Sequence, residues 1–388
     1  MDAKLFITML ADKRIYDLKK MQYKYSVQDV AEMLALFKST VYRTLPLRDS
    51  SGERLVYLEN LATISLNAVK FLVREPSGLA LLNHREAEDE IHSTLAIENI
   101  ESSRDSIRRI LQGYAPASES EERIYGIKKG LEFIADPDRK ITEENLRKLY
   151  RIAVEDSLDV KNQLLPDNLY RHEPVFLVGV SVGHQGLSAE KLPAYMTELI
   201  AFINNGDDLD DLLKAGMIHF YIGYIHPYFD GNGRMARLLH LWFLVRRGYP
   251  AALYAAFSSY IQESRNRYYE AYALTERNRE ISGVIDVTPF LTYFVENVYN
   301  KLEAGKLESG TLQAFQKLLD DGKVTEKEHD LWNFVLAFYG TGEFSTKQLE
   351  RDFGNAAYAT IRSFVLKFAG FGLLSGQKYM NRVKYRVI

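Results

Sequence analysis

The chain has 388 residues, of which 46% are hydrophobic and 26% charged, a composition typical of soluble globular proteins and a length that allows two or three domains. Its net charge of −3 excludes a general attraction to nucleic acids or anionic membranes. The lack of cysteine excludes disulfides and thiolate metal sites and fits a reducing compartment.

The N-terminal residues do not form a convincing secretory signal. Leu5 to Leu10 is a short apolar run with Asp2 ahead of it and further charges soon after. Leu238 to Val245 is apolar apart from His240 and is too short to cross a bilayer. We therefore expect a cytoplasmic protein with no membrane partner.

Residues 1–82 are predicted to form an N-terminal helical region. Ser26 is a suitable N-cap for a helix from Val27 to Phe37. Asp49 to Gly52 predicts a turn before a second helical run, Leu61 to Val73. No group of catalytic side chains is recognisable here, so we expect this region to support the core or to provide a contact surface.

A further helix is predicted from Asn83, as its N-cap, to Ile100. Glu98 lies seven residues after Ile91 and four after Thr94, which places its carboxylate on an apolar face of that helix. An acid in this position requires a cationic partner, because an unpaired buried charge is costly. The alternative is a glutamate that reaches the surface.

The middle of the chain contains more helices and one β signal. Helices are predicted from Glu121 to Ala135, from Thr142 to about Glu155 and from Ser188 to Asn205. Val175 to Val182 is short, β-branched and interrupted by glycines, which predicts a small hairpin. The acidic residues at 207–211 are expected to occupy the cap and first turn of the next helix, where negative charge is favoured.

One stretch, residues 226–237, combines the features of a polyphosphate site. Its turn at Gly231–Gly233 lets backbone N–H groups converge without a Cβ in the way. The helix that begins there directs its unpaired N–H groups and its positive dipole end to the same point. Arg234 and Arg237, three residues apart on that helix, can bind phosphate oxygens from its first turn.

Two other side chains of this stretch add a base and a metal ligand. His226, neutral near pH 7, can accept a proton from a hydroxyl. Asp230 offers one hard oxygen ligand, the usual protein contribution to a Mg²⁺ that arrives with a nucleotide. Each residue alone has an ordinary explanation as a cap, a turn or a solvated helix face. Their convergence favours a nucleotide site with a base at its rim.

The same stretch resembles the signature of the Fic family, H-P-F-x-D-G-N-G-R-x-x-R, with Tyr228 in place of the phenylalanine. The resemblance implies a mainly helical Fic core that transfers AMP from ATP to a hydroxyl of a target protein, with ATP and Mg²⁺ as its cofactors. It also implies a catalytic base, a Mg²⁺ ligand and a set of phosphate contacts, in that order: His226; Asp230; Gly231, Asn232, Gly233, Arg234 and Arg237.

Two other segments resemble parts of the same family. Thr94, Glu98 and Asn99 match its inhibitory motif, [S/T]-x-x-x-E-[G/N], in the position found in the class with an N-terminal inhibitory helix. This implies that Glu98 pairs with Arg237 and occupies the space of the γ-phosphate. The hairpin predicted at residues 175–182 corresponds to the family's flap, which aligns a segment of the target by β-strand addition. A hairpin that only packs is the alternative.

Residues 259–269 resemble the family's nucleotide-side element, Y-I-x-x-N-R-x-x-Y-Y, at Tyr260, Ile261, Arg265, Tyr268 and Tyr269. The resemblance implies that Tyr260 and Tyr268 contact the nucleotide. Ser264 replaces an asparagine that commonly touches the base, so the nucleotide preference stays open. Core packing is the alternative for Tyr268.

The C-terminal part is predicted to form a separate domain. A polar linker, residues 305–324, follows the Fic core, residues 83–304, and leads to residues 325–388. Three short helices and the strand-like alternation of Tyr379 to Val387 resemble a winged helix. DNA binding is not favoured, because such domains also dimerise or pack on neighbours, but it would use six basic residues: Arg362, Lys367, Lys378, Arg382, Lys384 and Arg386.

The sequence therefore predicts a mainly α protein with a Fic-type helical core, a small β-hairpin flap and a winged-helix-like C-terminal domain. Its predicted function is autoinhibited adenylyl transfer to a Ser, Thr or Tyr hydroxyl of a target protein. One alternative uses the same site to remove AMP, with Glu98 orienting a water, or to transfer another phosphate-containing group. The other is a DNA-binding regulator with a ligand-sensing core. A homodimer is a further partner that the sequence allows.

Overall fold

A computed structural model describes residues 1–59, 64, 68–69, 72–73, 85–175, 186–302, 309–339, 343–379 and 382–387. These residues are mainly helical, as predicted, with two small antiparallel strand pairs. None of the helices in these ranges is both long and apolar enough to span a bilayer. The hairpin predicted at residues 175–182 lies outside the described residues, apart from Val175.

The N-terminal region contains α1 (Ala3–Leu10), α2 (Leu18–Lys24), α3 (Val27–Leu36), β1 (Arg43–Arg48) and β2 (Arg54–Tyr57). The predicted cap is confirmed, because the Ser26 hydroxyl accepts the Asp29 N–H and the Asp29 carboxylate accepts the Ser26 N–H. The expectation of helices alone was wrong, since the turn at residues 49–52 joins two strands. Leu45 and Leu47 are buried between exposed neighbours, the alternation of a half-buried strand. The helical run predicted after this turn falls largely outside the described residues.

The central region consists of α4 (Arg85–Ile97), α5 (Arg104–Leu111), α6 (Glu119–Ile134), α7 (Glu143–Ala153), α8 (Leu192–Asn204), α9 (Asp211–Ile225), α10 (Asn232–Arg246), α11 (Phe257–Glu263), α12 (Arg265–Ser282) and α13 (Thr288–Asn297). Helices α9 and α10 pack against each other at its centre, and nearly all of their side chains are buried. The expected acidic cap of α9 is confirmed, since Asp210 accepts the N–H groups of Leu212 and Leu213. The short loop between α9 and α10 is therefore fixed at both ends by helices whose side chains pack into the core on nearly every face.

Helix α4 ends at Ile97, three residues earlier than predicted. Asn99 lies in the turn that follows and has a left-handed backbone, with φ of 57°, which asparagine and glycine adopt more readily than other residues. The N–H of Ile100 donates to the Leu95 carbonyl at 3.0 Å and closes the turn. Glu98 therefore projects from this turn rather than from the apolar face of the helix. The predicted cap, Asn83, lies outside the described residues.

The C-terminal region contains α14 (Ser309–Asp320), α15 (Glu326–Phe338), α16 (Thr346–Phe353), α17 (Tyr358–Gly370), β3 (Leu374–Tyr379) and β4 (Arg382–Val387). Its buried residues, such as Trp332 and Phe368, form a hydrophobic core of their own. Part of the predicted linker is helical, because α14 lies within residues 305–324 and its Phe315 packs into this core. The order of three helices followed by a hairpin agrees with the expectation. The winged-helix assignment and the domain boundaries stay predictions.

Candidate active site

The loop of residues 226–231 turns the chain from α9 into α10. His226 ends α9 in the left-handed conformation, with φ of 54°. Gly231 is also left-handed, with φ of 74°, and a Cβ there would overlap the Val154 side chain, so the position requires glycine. The Asn232 side chain closes the loop, because it accepts the Tyr228 N–H at 2.9 Å and donates to the Tyr228 carbonyl at 2.8 Å. The side chain of Asn232 is thus structural, and its backbone N–H belongs to the first turn of α10.

The imidazole of His226 has the hydrogen bonding expected of a base. Its Nδ1 lies 3.2 Å from the Gly223 carbonyl oxygen. A carbonyl can only accept, so Nδ1 carries the proton and Nε2 keeps its lone pair. Burial lowers the pKa of His226 from its ordinary value of 6.5, and the Gly223 carbonyl opposes this only in part. His226 is therefore neutral at pH 7, with Nε2 available to accept a proton.

Tyr228 fixes the loop by packing its ring into the core. Its ring stacks on Tyr150 with 3.8 Å between centroids and an interplanar angle of 6°. The residue is fully buried, and its hydroxyl has no hydrogen-bond partner among the described residues. The tyrosine thus packs as the phenylalanine of the family signature would.

Arg237 is bound by the end of α4 and by the turn that follows it. Its Nε donates to the Thr94 hydroxyl at 2.6 Å, and its Nη2 donates to the Thr94 carbonyl at 3.0 Å and to Oε1 of Glu98 at 2.9 Å. The guanidinium is almost fully buried, with 3% of the side chain exposed. Burial is the strongest single influence and acts against its charge, but Glu98 together with Tyr268 and Glu90 outweighs burial, so the pKa of Arg237 is raised. The pairing of Glu98 with Arg237 that the resemblance implies is present in the structure.

The Glu98 carboxylate also touches the start of α10. A Cβ built on Gly233 would overlap Oε1 of Glu98, and it would lie 3.2 Å from Nη1 of Arg237. Glycine at this position therefore lets the carboxylate approach the first turn of the helix. The N-terminus of a helix attracts anions through its free N–H groups and its dipole. Glu98 thus occupies a place that suits an anionic ligand.

Arg234 has few partners by contrast. Only 1% of its side chain is exposed, and its Nη2 lies 3.4 Å from Oδ1 of Asp230, a long contact. Its Nε and Nη1 are buried and have no hydrogen-bond partner among the described residues, and the same holds for Nη1 of Arg237. Burial lowers the pKa of Arg234. Buried cationic N–H groups without acceptors are costly, and the oxygens of a polyphosphate would satisfy them.

The residues present fit a Mg²⁺ that is held mainly by a nucleotide. Asp230 is half exposed at the loop, and its Oδ1 accepts the Gly231 N–H. In the described ranges no three His, Cys, Asp or Glu residues cluster in a way that could hold a metal ion. The chain therefore offers one carboxylate, which is what a Mg²⁺ coordinated otherwise by phosphate and water requires.

The two tyrosines predicted to contact the nucleotide lie in different surroundings. Tyr260 is partly buried on α11. Tyr268 is buried on α12, and its hydroxyl lies 2.9 Å from Nε2 of His219. The hydroxyl of Ser264, between the two helices, lies 2.7 Å from that of Tyr293. Tyr268 thus packs in the core, and nucleotide contacts by either tyrosine stay a prediction.

Two residues near the site were not identified from the sequence. Glu90, buried on α4, accepts the N–H and the hydroxyl of Ser258 at the start of α11, and burial raises its pKa. Glu90 thus connects α4, the helix before Glu98, to α11, the helix that carries Tyr260. The sequence feature that could have identified Glu90 is its position four residues before Thr94, on the same face of the helix. Arg171 donates to the His226 carbonyl at 2.7 Å, and no sequence pattern predicts a bond to a distant backbone carbonyl.

Comparison with known proteins identifies the same region. Residues 140–244 match the Fic/DOC family. Protein adenylyltransferase Fic of Drosophila yakuba is 32% identical over 82 residues, which cover 21% of this chain and 14% of that protein. Protein adenylyltransferase fic-1 of Caenorhabditis elegans is 26% identical over 113 residues, which cover 29% of this chain and 20% of that protein. The matched segments thus span a fifth or less of these relatives.

The fold is similar over a larger part of the chain. A crystal structure of a Fic family protein from Desulfovibrio desulfuricans G20 aligns with a TM-score of 0.50 and 20% identity, over 84% of this chain and 97% of that one. At this identity the likeness concerns the fold alone. The signature at residues 226–237, the family match around it and the shared fold agree that residues 140–244 form a Fic/DOC domain.

Proposed function

We propose that this chain is an autoinhibited protein adenylyltransferase, which transfers AMP from ATP to a Ser, Thr or Tyr hydroxyl of a target protein. The names of the two curated relatives and the Fic/DOC domain support this proposal. The observation that carries it is the position of Glu98, whose carboxylate pairs with Arg237 beside the buried N–H groups of Arg234 that have no acceptor in the described chain. In this proposal the two arginines form an anion site, and the chain's own carboxylate occupies part of it.

The geometry of the loop suits an in-line transfer to a hydroxyl. The target hydroxyl gives its proton to Nε2 of His226, and its oxygen forms a bond to the α-phosphorus. The bond between that phosphorus and the leaving pyrophosphate breaks. The N–H groups at the start of α10 and the guanidinium groups of Arg234 and Arg237 stabilise the charge that moves onto the pyrophosphate. Mg²⁺, which Asp230 would hold, supplies further neutralisation of the phosphate oxygens when bound.

Glu98 inhibits in two ways in this proposal. It occupies the Nη2 group of Arg237, which then cannot bind a phosphate oxygen. Its carboxylate also lies against Gly233, where its negative charge repels the triphosphate. ATP that binds in the remaining space is displaced from the position needed for attack. A displacement of about 1 Å can lower the rate on the order of 10²-fold.

Substitution of Glu98 tests the proposal. The Glu98→Gly variant, incubated with radiolabelled ATP, Mg²⁺ and cell lysate, is expected to label protein about 10²-fold faster than the unmodified chain. Intact-mass analysis should show the addition of AMP. Glu101→Gly is the matched control, because Glu101 is exposed in the segment just beyond the same turn and loses the same charge. Equal labelling by all three proteins would contradict autoinhibition. Loss of AMP from a previously modified protein would favour the removal reaction instead.

For the C-terminal region we propose a winged-helix-like domain that does not bind DNA as its main role. Among the six basic residues that DNA binding would use, Lys367 lies 2.7 Å from Glu328 and Lys384 lies 3.4 Å from Glu343 in the described part of the chain. Such pairing weakens the attraction of these residues to a phosphate backbone. A gel shift that decreases steeply with salt and is lost in a Lys378→Gln, Arg386→Gln double variant would contradict this proposal. A second copy of the chain is the partner that we would test first.

A further inference from the structure

Arg171 is a buried arginine that contacts the catalytic loop without belonging to it. Only 2% of the residue is exposed. Its Nε donates to the His226 carbonyl at 2.7 Å, its Nη1 donates to the Glu173 carbonyl at 2.8 Å, and its Nη2 donates to the Leu187 carbonyl. Its own N–H donates to the Pro227 carbonyl at 2.9 Å. One side chain thus connects three parts of the chain through their backbones.

The partners of this guanidinium are unusual for a buried cation. Every hydrogen bond that the described residues offer its side chain is accepted by a backbone carbonyl, and burial lowers the pKa of Arg171. Carbonyl dipoles compensate a buried charge less well than a carboxylate does, so retaining the cation here costs stability. A planar group with N–H bonds in three directions can bind three carbonyls at once, which the single ammonium of lysine does less well. This geometry explains why an arginine is present.

The positions of the three carbonyls show which segments of the chain Arg171 connects. The His226 carbonyl belongs to the residue that carries the base. Glu173 and Leu187 lie on either side of the hairpin predicted at residues 175–182, the segment predicted to align the target. Residues 173–175 and 186–187 are the two stems of that segment, and the stems are joined directly, because the Gly186 N–H donates to the Val175 carbonyl at 3.1 Å. Arg171 therefore connects the base to both stems.

Gly186 gives independent support for this arrangement. A Cβ at this position would lie 3.2 Å from Nη2 of Arg171 and 3.0 Å from Cγ2 of Val175. Both distances are shorter than ordinary van der Waals contact, so a side chain would displace the guanidinium or the stem. The absence of a side chain at residue 186 thus leaves room for Arg171 between the stems.

We propose that Arg171 is a positioning residue for adenylyl transfer, which holds the His226 backbone at a constant distance from the two stems that flank the target-aligning segment. The inference rests on the proposed function for its consequence in catalysis. Arg171 does not bind phosphate in this proposal, because its three nitrogens already donate to carbonyls. It sets where the hydroxyl of the target lies relative to Nε2 of His226. Its loss should therefore reduce turnover rather than ATP binding.

The test compares three variants in the active Glu98→Gly chain: Arg171→Met, Arg171→Lys and Arg147→Met. Arg147 is the matched control, because it is also a largely buried arginine that donates to a backbone carbonyl, that of Asn168, and its other partner is Glu155 rather than a residue of the loop at 226–231. Arg171→Met is expected to lower kcat for protein labelling about 10²-fold, with KM for ATP within about threefold of the parent. Arg171→Lys should recover part of kcat, because its ammonium keeps the charge and one or two of the bonds. Arg147→Met should change neither constant by more than about threefold, since it touches none of the reacting groups.

If no AMP transfer is detected, hydrogen exchange on the same variants still tests whether Arg171 connects the loop to the two stems. Arg171→Met should speed exchange in peptides that cover residues 171–175, 186–188 and 226–231, while protection of α9 and α10 is retained. Absence of labelling by the Glu98→Gly parent would overturn the proposed function, and local exchange would still support the connection made by Arg171. The inference is overturned by an unchanged kcat in Arg171→Met, by a change in KM for ATP alone, or by loss of protection throughout α9 and α10, which would indicate a general structural role.

Discussion

The first two turns of α10 carry two buried arginines in opposite situations. Arg237 donates three hydrogen bonds to Thr94 and Glu98, whereas Arg234 has one long contact to Asp230 and two nitrogens with no acceptor in the described part of the chain. Both side chains are almost fully excluded from water. In the proposed function, the chain satisfies one half of an anion site with its own carboxylate and leaves the other half for a ligand. One arginine should therefore matter for stability and the other for binding.

Among these predictions, the largest expected effect is on the affinity for ATP when Arg234 is replaced. In the Glu98→Gly chain, Arg234→Gln is expected to weaken ATP binding about 10²-fold, because about two charge-assisted hydrogen bonds to phosphate are lost. The melting temperature without nucleotide should change little, since only the long contact to Asp230 is removed. Calorimetric titration and thermal unfolding measure the two quantities. Arg246→Gln, at the other end of α10, is the control. An unchanged affinity would remove Arg234 from the site.

Removal of Arg237 should reverse this pattern. In the chain that retains Glu98, Arg237→Gln is expected to lower the free energy of unfolding by about 2 kcal/mol, because it leaves Glu98 and the Thr94 carbonyl without their cationic partner. The figure is smaller than for a fully buried pair, since 23% of the Glu98 side chain is exposed. Denaturant titration checks it. Equal stability of the Arg234 and Arg237 variants would show that the two environments do not differ in energy.

A smaller change at Thr94 should weaken the inhibitory contact without abolishing it. Thr94→Val removes the hydroxyl that accepts from Nε of Arg237, which should cost about 1 kcal/mol and raise protein labelling roughly fivefold. Thr94→Ser keeps the hydroxyl and should behave like the parent. Labelling rates of the two variants, measured side by side, give the comparison. A higher rate in Thr94→Ser than in Thr94→Val would argue against the role of this bond.

The smallest expected effect concerns pH. The base must be neutral to act, so kcat of the Glu98→Gly chain should rise with pH through the pKa of His226. Because burial lowers that pKa below 6.5, the half-maximal rate should lie below pH 6.5, and kcat should level off as the pH rises toward 8. A pH–rate profile of labelling measures this. A half-maximal rate above pH 6.5 would mean that the imidazole is not desolvated as the structure indicates.

The geometry of the loop at residues 226–231 follows largely from the sequence, because its residues are consecutive. His226, Asp230, Gly231 and Gly233 lie within eight positions, and local turn and helix geometry is enough to bring them together. The pairing of Glu98 with Arg237 spans 139 residues and followed only from the family resemblance. The need for glycine at 231 also has a distant cause, the side chain of Val154.

Other features depend on contacts that leave no pattern in the chain. Arg171 binds backbone carbonyls, and every residue type offers a carbonyl, so its partners cannot be recognised by their side chains. Glu90 is satisfied by Ser258, a residue that is frequent everywhere. The strand pair β1–β2 was missed because Pro46 and the arginines at both ends make β1 resemble a loop, whereas its pairing is decided by the burial of Leu45 and Leu47. Tertiary contacts override local preference in each case.

The central claim is that a nucleotide's phosphates replace Glu98 on α10 with His226 in reach. A crystal structure of the Glu98→Gly chain with ATP and Mg²⁺ tests it most directly. The account predicts phosphate oxygens on Nε or Nη1 of Arg234 and on Nη1 of Arg237, the nitrogens that lack acceptors in the described residues. It also predicts that Nε2 of His226 faces the α-phosphorus. Phosphates bound elsewhere, or a His226 ring turned away from them, would contradict the proposed enzyme.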